Sequence, residues 1–135
     1  MKNNDFPPYA NDWLHDEVIK ILQDKNLQSA ILDIWCGWWT LLHRLHNLWF
    51  QNLNWCDGFI ENEKLKAFAD FKKCNCNKGL GDNYKDESFD IITLVEVIEH
   101  LENPNLVLNT IHNLLKKDGY LIITTPNIQT LISRL

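Results

Sequence analysis

Long apolar runs are missing from this 135-residue chain. No stretch approaches the roughly 18 to 20 continuous apolar residues of a membrane span, and the opening MKNNDFPPYAND has no apolar segment of signal-peptide type. The location expected from this is the cytoplasm. Clustered Lys and Arg are missing as well: the net charge is -5, which argues against a general nucleic-acid or membrane-surface binder, since both need basic groups to meet phosphate. The four cysteines, Cys36, Cys56, Cys74 and Cys76, lack the paired C-x2-C spacing of common zinc modules, and nothing points to an oxidising compartment. Three of them fall in or beside apolar strand-like runs, where a reduced cysteine packs as a small hydrophobe. A zinc site is the minor alternative. Internal repeats, linkers and low-complexity tracts are also absent. Glycine is scarce, five residues against six tryptophans, and this bears on a turn discussed below.

What is present fits one soluble globular domain or part of a larger one, with 45% hydrophobic and 23% charged residues. Two periodicities alternate. Leu14, Val18, Ile21 and Leu22 follow Asp12 at helical spacing and predict an amphipathic helix over 12–24. AILDI (30–34) reads as a short buried strand, and Leu41, Leu42, Leu45 and Leu48 then mark one face of a helix. FQNLNWCDGF contains a second strand ending at Asp57, Glu61 to Phe71 a second such helix, and KKCNCN a weak third strand. SFDIITLVEV has the continuous β-branched character of a parallel strand covered on both faces. The next helix is the best marked: Asn103 as cap, Pro104 in the first turn, Val107, Ile111, Leu114 and Leu115 as the buried stripe, and Lys116, Lys117 and Gly119 at its end. YLIITTPN forms a last strand stopped by Pro126. Strands alternating with helices at this spacing predict an α/β fold built on a doubly wound parallel sheet. The expected organisation is an N-terminal helical segment over 1–28 followed by one domain over 29–135.

Ligands of such sheets bind at the carboxyl ends of the strands. Asp33 lies near the end of the first strand and Asp57 closes the second, an arrangement suited to an acid reaching the two hydroxyls of a ribose. Glu96, Glu99 and His100 follow the fourth strand.

Over roughly residues 30 to 130 the chain resembles the class I S-adenosylmethionine-dependent methyltransferases. ILDIWCGWWT looks like the family's first motif, LD-I-G-C-G-x-G, with Trp35 and Trp39 standing at its first and third glycines. WCDGF is similar to the second-strand motif with its ribose-binding acid, while SFDIITLVEVIEHLENP and LLKKDGYLIITTPN resemble the later motifs, in order. The resemblance implies a Rossmann-like fold, truncated here after the fifth strand, and S-adenosyl-L-methionine as cofactor. It implies cofactor contacts at Asp33, Trp35, Gly37, Trp39, Asp57, Gly58, Asn75 and Val95. Asn75 stands where relatives often carry an Asp that meets the adenine amino group. Glu99 and His100 are the candidate catalytic residues, with Glu96 at i,i+3 and i,i+4 from them. The E-x-x-E-H set resembles the metal-holding cluster of small-RNA 2'-O-methyltransferases and the E-H pair of ubiquinone-type O-methyltransferases. The further histidine of the former has no counterpart after Pro126, so no metal is assigned. The other reading of Glu99 and His100 is that they only wall the pocket. His15, His43, His46 and His112 read as helix-surface residues.

The function expected is methyl transfer to a small molecule or to a cell-envelope glycan or lipid precursor. A non-catalytic methyltransferase-like protein and an RNA-methylating enzyme are the alternatives. The tryptophans decide between them. Trp49 and Trp55, like Trp35 and Trp39, stand where relatives commonly carry glycine, and a left-handed backbone costs a non-glycine residue about 1 to 2 kcal/mol. Either the chain is a degenerate, cofactor-free homologue, or a UGA codon meaning glycine has been read as tryptophan at these positions.

Overall fold

The computed structural model describes residues 12–35, 40–59, 61–80 and 83–126. Gly37 and Trp39, both expected at the cofactor, lie outside the described residues, as do Cys36 and Trp38. The elements in chain order are α1 (Asp12–Leu22), β1 (Ile31–Ile34), α2 (Thr40–Asn47), β2 (Leu53–Asp57), α3 (Glu63–Lys66), β3 (Asp70–Lys73), β4 (Phe89–Val95), α4 (Pro104–Leu114) and β5 (Leu115–Thr124). Single 3-10 turns occupy Cys76–Lys78 and Ile98–His100.

The five strands form one parallel sheet in the order β3-β2-β1-β4-β5. Because β1 lies between β2 and β4, strand order reverses there, and the crevice at that reversal is where such sheets bind ligands. Both faces are covered, as the apolar strand sequences require. On one face Val18 and Leu22 of α1, Leu41, Leu42 and Leu45 of α2 and Leu65 of α3 pack against Ile31, Trp55 and Ile91. On the other, Val107, Ile111 and Leu114 of α4 pack against Leu32, Ile34, Ile92 and Leu94. The predicted doubly wound α/β sheet is therefore the fold observed.

Local chemistry accounts for the helix starts. Asn103 accepts from the Leu106 N–H at 3.1 Å with Pro104 in the first turn, and Asn62 accepts from the Lys64 N–H at 2.7 Å. Two elements differ from the sequence reading. The helix predicted over Glu61 to Phe71 is confined to Glu63–Lys66, because Phe71 is drawn into β3 opposite Trp55, their rings 4.2 Å apart. The helix end predicted at Lys116, Lys117 and Gly119 is instead an irregularity within β5, between the Phe89–Leu115 and Ile91–Tyr120 pairs. Gly119 passes so close to the β4 backbone that a Cβ would meet the Asp90 carbonyl at 3.0 Å, while Lys116 is paired with the Asp90 carboxylate at 2.9 Å.

Candidate functional site

Residues 35, 57–59, 75 and 96–100 leave the carboxyl ends of β1, β2, β3 and β4, where the fold places a ligand. Asp57 ends β2 with 4% of its surface exposed, and its Oδ1 accepts the Phe59 N–H at 2.7 Å. Gly58 follows in a position no larger residue fills without displacement: a Cβ there would stand 2.8 Å from the Cys74 carbonyl oxygen. The Cys74 N–H in turn donates to the Asp57 carbonyl at 3.1 Å, so the ends of β2 and β3 are locked together beneath the acid.

Asn75 uses its side-chain oxygen to accept the Asn77 N–H at 3.0 Å, capping the Cys76–Lys78 turn. Asn77 accepts from the Glu102 N–H at 3.0 Å, which ties the loop after β3 to the segment before α4. An amide oxygen has a second lone pair, so the capping role leaves room for a ligand hydrogen bond.

Asp33 sits deeper than a ribose contact needs. It is 3% exposed, shares a cross-strand row with Trp55 and Thr93, and accepts the Thr93 hydroxyl at 2.6 Å. Burial, ahead of the opposing Thr93 hydrogen bond and the nearby Asp57 charge, pushes its carboxyl up to about 7. The unfolded chain titrates near 3.9, so between about pH 4 and 7 the folded chain holds a proton that the unfolded chain has released, and stability falls as pH rises through that window. The Asp33→Asn variant is expected to lose that slope and to exceed the wild type at pH 8 by up to about 4 kcal/mol. Urea unfolding at pH 5 and pH 8 checks this, and a pH slope unchanged by the substitution contradicts it.

Beyond β4 the chain takes a left-handed turn at Glu96, φ 55°, a strained conformation for a side-chain-bearing residue. Both oxygens of Thr124 hold it there: the Glu96 N–H lies 3.0 Å from the hydroxyl and 3.2 Å from the carbonyl. Val95 is half-buried at the strand end, and Glu99 and His100 are exposed on the following 3-10 turn. Among the described residues Glu96, Glu99 and His100 do not gather into a metal-capable group. The group that does is Cys56, Cys74 and Cys76, whose sulfur atoms lie within 4.8 Å of one another. The sequence spacing of these cysteines does not suggest that grouping.

Trp35 directly follows β1 and packs, partly buried, against the apolar cluster that contains Ile34 and Cys56. Its φ is 57°, its N–H bonds the Cys56 carbonyl at 2.8 Å, and its ring lies 6.2 Å from that of Phe59. Its indole N–H is buried and has no hydrogen-bond partner among the described residues. The cavity beside Asp57, lined by Gly58, Phe59, Glu61, Phe71 and Lys73, measures only about 40 Å³. Larger depressions, about 540 and 520 Å³, open at the amino ends of the strands, around Leu115 and Ala30, away from these residues. The cavity at Asp57 and Gly58 thus has room for about one water molecule, and Trp35 places an indole directly after β1.

Comparison with known proteins agrees with the fold. A methyltransferase-domain family profile matches residues 9–134. A ubiquinone biosynthesis O-methyltransferase of Glaesserella parasuis is 54% identical over 41 residues, 30% of this chain and 17% of the relative. That of Shewanella pealeana is 26% identical over 104 residues, covering 73% of this chain and 44% of the relative. The chain thus spans less than half the length of these curated relatives. The crystal structure of coclaurine N-methyltransferase bound to N-methylheliamine and SAH superposes with a TM-score of 0.67 at 19% identity, over 82% of this chain and 33% of that one. With the motifs, the parallel sheet and the profile match in agreement, the chain belongs to the class I S-adenosylmethionine-dependent methyltransferase family.

Proposed function

We propose that the chain serves methyl transfer from S-adenosyl-L-methionine to a small molecule or a cell-envelope glycan or lipid precursor. The observation that carries this reading is the Asp57–Gly58 pair: a buried carboxylate at the end of β2, next to a glycine held against the Cys74 carbonyl. A carboxylate there accepts from both ribose hydroxyls with charge-assisted strength. Asn75 takes the adenine edge, and Gly37 and Val95 complete the cofactor contacts. When bound, the cofactor supplies a methyl group on a sulfonium, whose in-line transfer asks the protein mainly for proximity and orientation.

Glu99 and His100, exposed at the same end of the sheet, face the acceptor, and His100 takes the proton from an acceptor hydroxyl. An oxygen acceptor on a small molecule accords with the O-methyltransferase relatives. Among the described residues no helix is long and apolar enough to cross a membrane, and we place the reaction in the cytoplasm. A non-catalytic methyltransferase-like protein is the second reading, favoured by the indole at position 35.

Calorimetric titration with S-adenosylhomocysteine tests the first reading in a chain carrying Trp35→Gly and Trp39→Gly. Asp57→Ala in that background is expected to weaken binding by about 1.5 to 3 kcal/mol, the worth of hydrogen bonds to a charged group. Unchanged affinity would remove Asp57 from the site.

A further inference from the structure

We propose that Cys56, Cys74 and Cys76 form a structural zinc site that clamps the ribose and adenine sides of the cofactor pocket together. The three sulfurs come from separate places in the fold, the end of β2, the residue after β3 and the 3-10 turn beyond it, yet lie within 4.8 Å of one another. Tetrahedral zinc with Zn–S bonds near 2.3 Å needs sulfurs about 3.8 Å apart, so the cluster must contract by only about 1 Å or less to hold the ion. All three are buried, Cys56 and Cys76 fully and Cys74 to within 4%, as a closed structural site requires.

Packing alone does not explain the convergence. Cysteines acting as small hydrophobes have no reason to aim three polarisable sulfurs at one another inside an apolar cluster. Tyr84 packs on the same cluster and its hydroxyl donates to the Trp55 carbonyl at 3.4 Å, so it helps to close the site from solvent.

The consequence lies in the neighbours. Asp57 directly follows Cys56, and Asn75 stands between Cys74 and Cys76, so one ion would fix both residues assigned to the nucleoside. The assignment of these two to a cofactor rests on the reading above, but the zinc site itself does not.

The test is metal content, which needs no cofactor. The chain purified under reducing conditions is expected to carry about one equivalent of zinc by elemental analysis. After exchange it should show thiolate-to-cobalt charge-transfer absorption with Co(II). Cys76→Ser should cut retained zinc at least about tenfold, and a chelator should lower the melting temperature of the wild type but not of that variant. If the variant fails to fold, the wild-type stoichiometry and cobalt spectrum decide alone. A folded wild-type chain that holds no zinc and gives no cobalt–thiolate band, or one whose cysteines are found as a disulfide, would overturn the proposal. Zinc bound by a chain carrying Trp35→Gly and Trp39→Gly that still shows no S-adenosylhomocysteine affinity would leave it standing and count against the cofactor reading instead.

Discussion

Replacing Trp35 and Trp39 with glycine is expected to turn a chain with no measurable affinity for S-adenosylhomocysteine into one that binds it in the micromolar range, about -8 kcal/mol. The gain comes from two sources. At position 35 the backbone is left-handed, φ 57°, and glycine relieves about 1 to 2 kcal/mol there. More of it comes from space: the indole, 6.2 Å from the Phe59 ring and carrying a buried N–H without a partner among the described residues, is bulk that a glycine at the end of β1 does not bring. Calorimetry on the two chains decides the matter, and continued absence of binding after the double replacement favours the non-catalytic reading. The gene offers an independent check. UGA codons at 35 and 49 are expected if these positions are glycine in the cell, and UGG there makes the tryptophans real.

Trp49 and Trp55 should respond to the same substitution with opposite signs. Trp49 follows α2 at φ 70°, with its own N–H bonded to the His46 carbonyl at 2.9 Å and the Phe50 N–H to the Leu45 carbonyl at 3.2 Å. That double pattern is the Schellman motif, in which the left-handed residue is most often glycine. Its side chain is 76% exposed, so Trp49→Gly loses little packing and is expected to stabilise the fold by about 1 kcal/mol. Trp55 instead lies within β2, fully buried, against Phe71 on one side and in register with Asp33 on the other. Trp55→Gly there opens a large cavity in the α1–α2 face of the core and is expected to cost about 3 to 5 kcal/mol or more. Its indole N–H is also buried without a partner among the described residues, which offsets part of that loss. Denaturant midpoints of the two variants give the signs. A Trp55→Gly chain more stable than its parent would place position 55 with 35 and 49 as a glycine site.

The features legible in the sequence are those encoded by neighbouring residues. Asn103 and Pro104 start α4 because a cap and a fixed φ act within one turn. The β-branched run of β4 and the apolar stripe of Val107 and Ile111 follow from periods of two and 3.6. Asp57 was placed at the end of its strand for the same reason, and the order of strands and helices was enough to imply the doubly wound sheet that the structure contains. Other features depended on partners distant in the chain. Phe71 belongs to β3 and not to a helix because Trp55 across the sheet supplies its contact. β5 begins at Leu115 because Phe89 pairs with it there. Asp33 became a buried acid held by Thr93, and Cys56 met Cys74 and Cys76, only once parallel pairing brought separate strands side by side. The tryptophan-for-glycine pattern was visible as spelling, but the sequence alone treats four positions alike. Backbone dihedrals and burial separate Trp35 and Trp49, forced into a conformation suited to glycine, from Trp55, which fills the core, because strain and packing are properties of a residue's place in space.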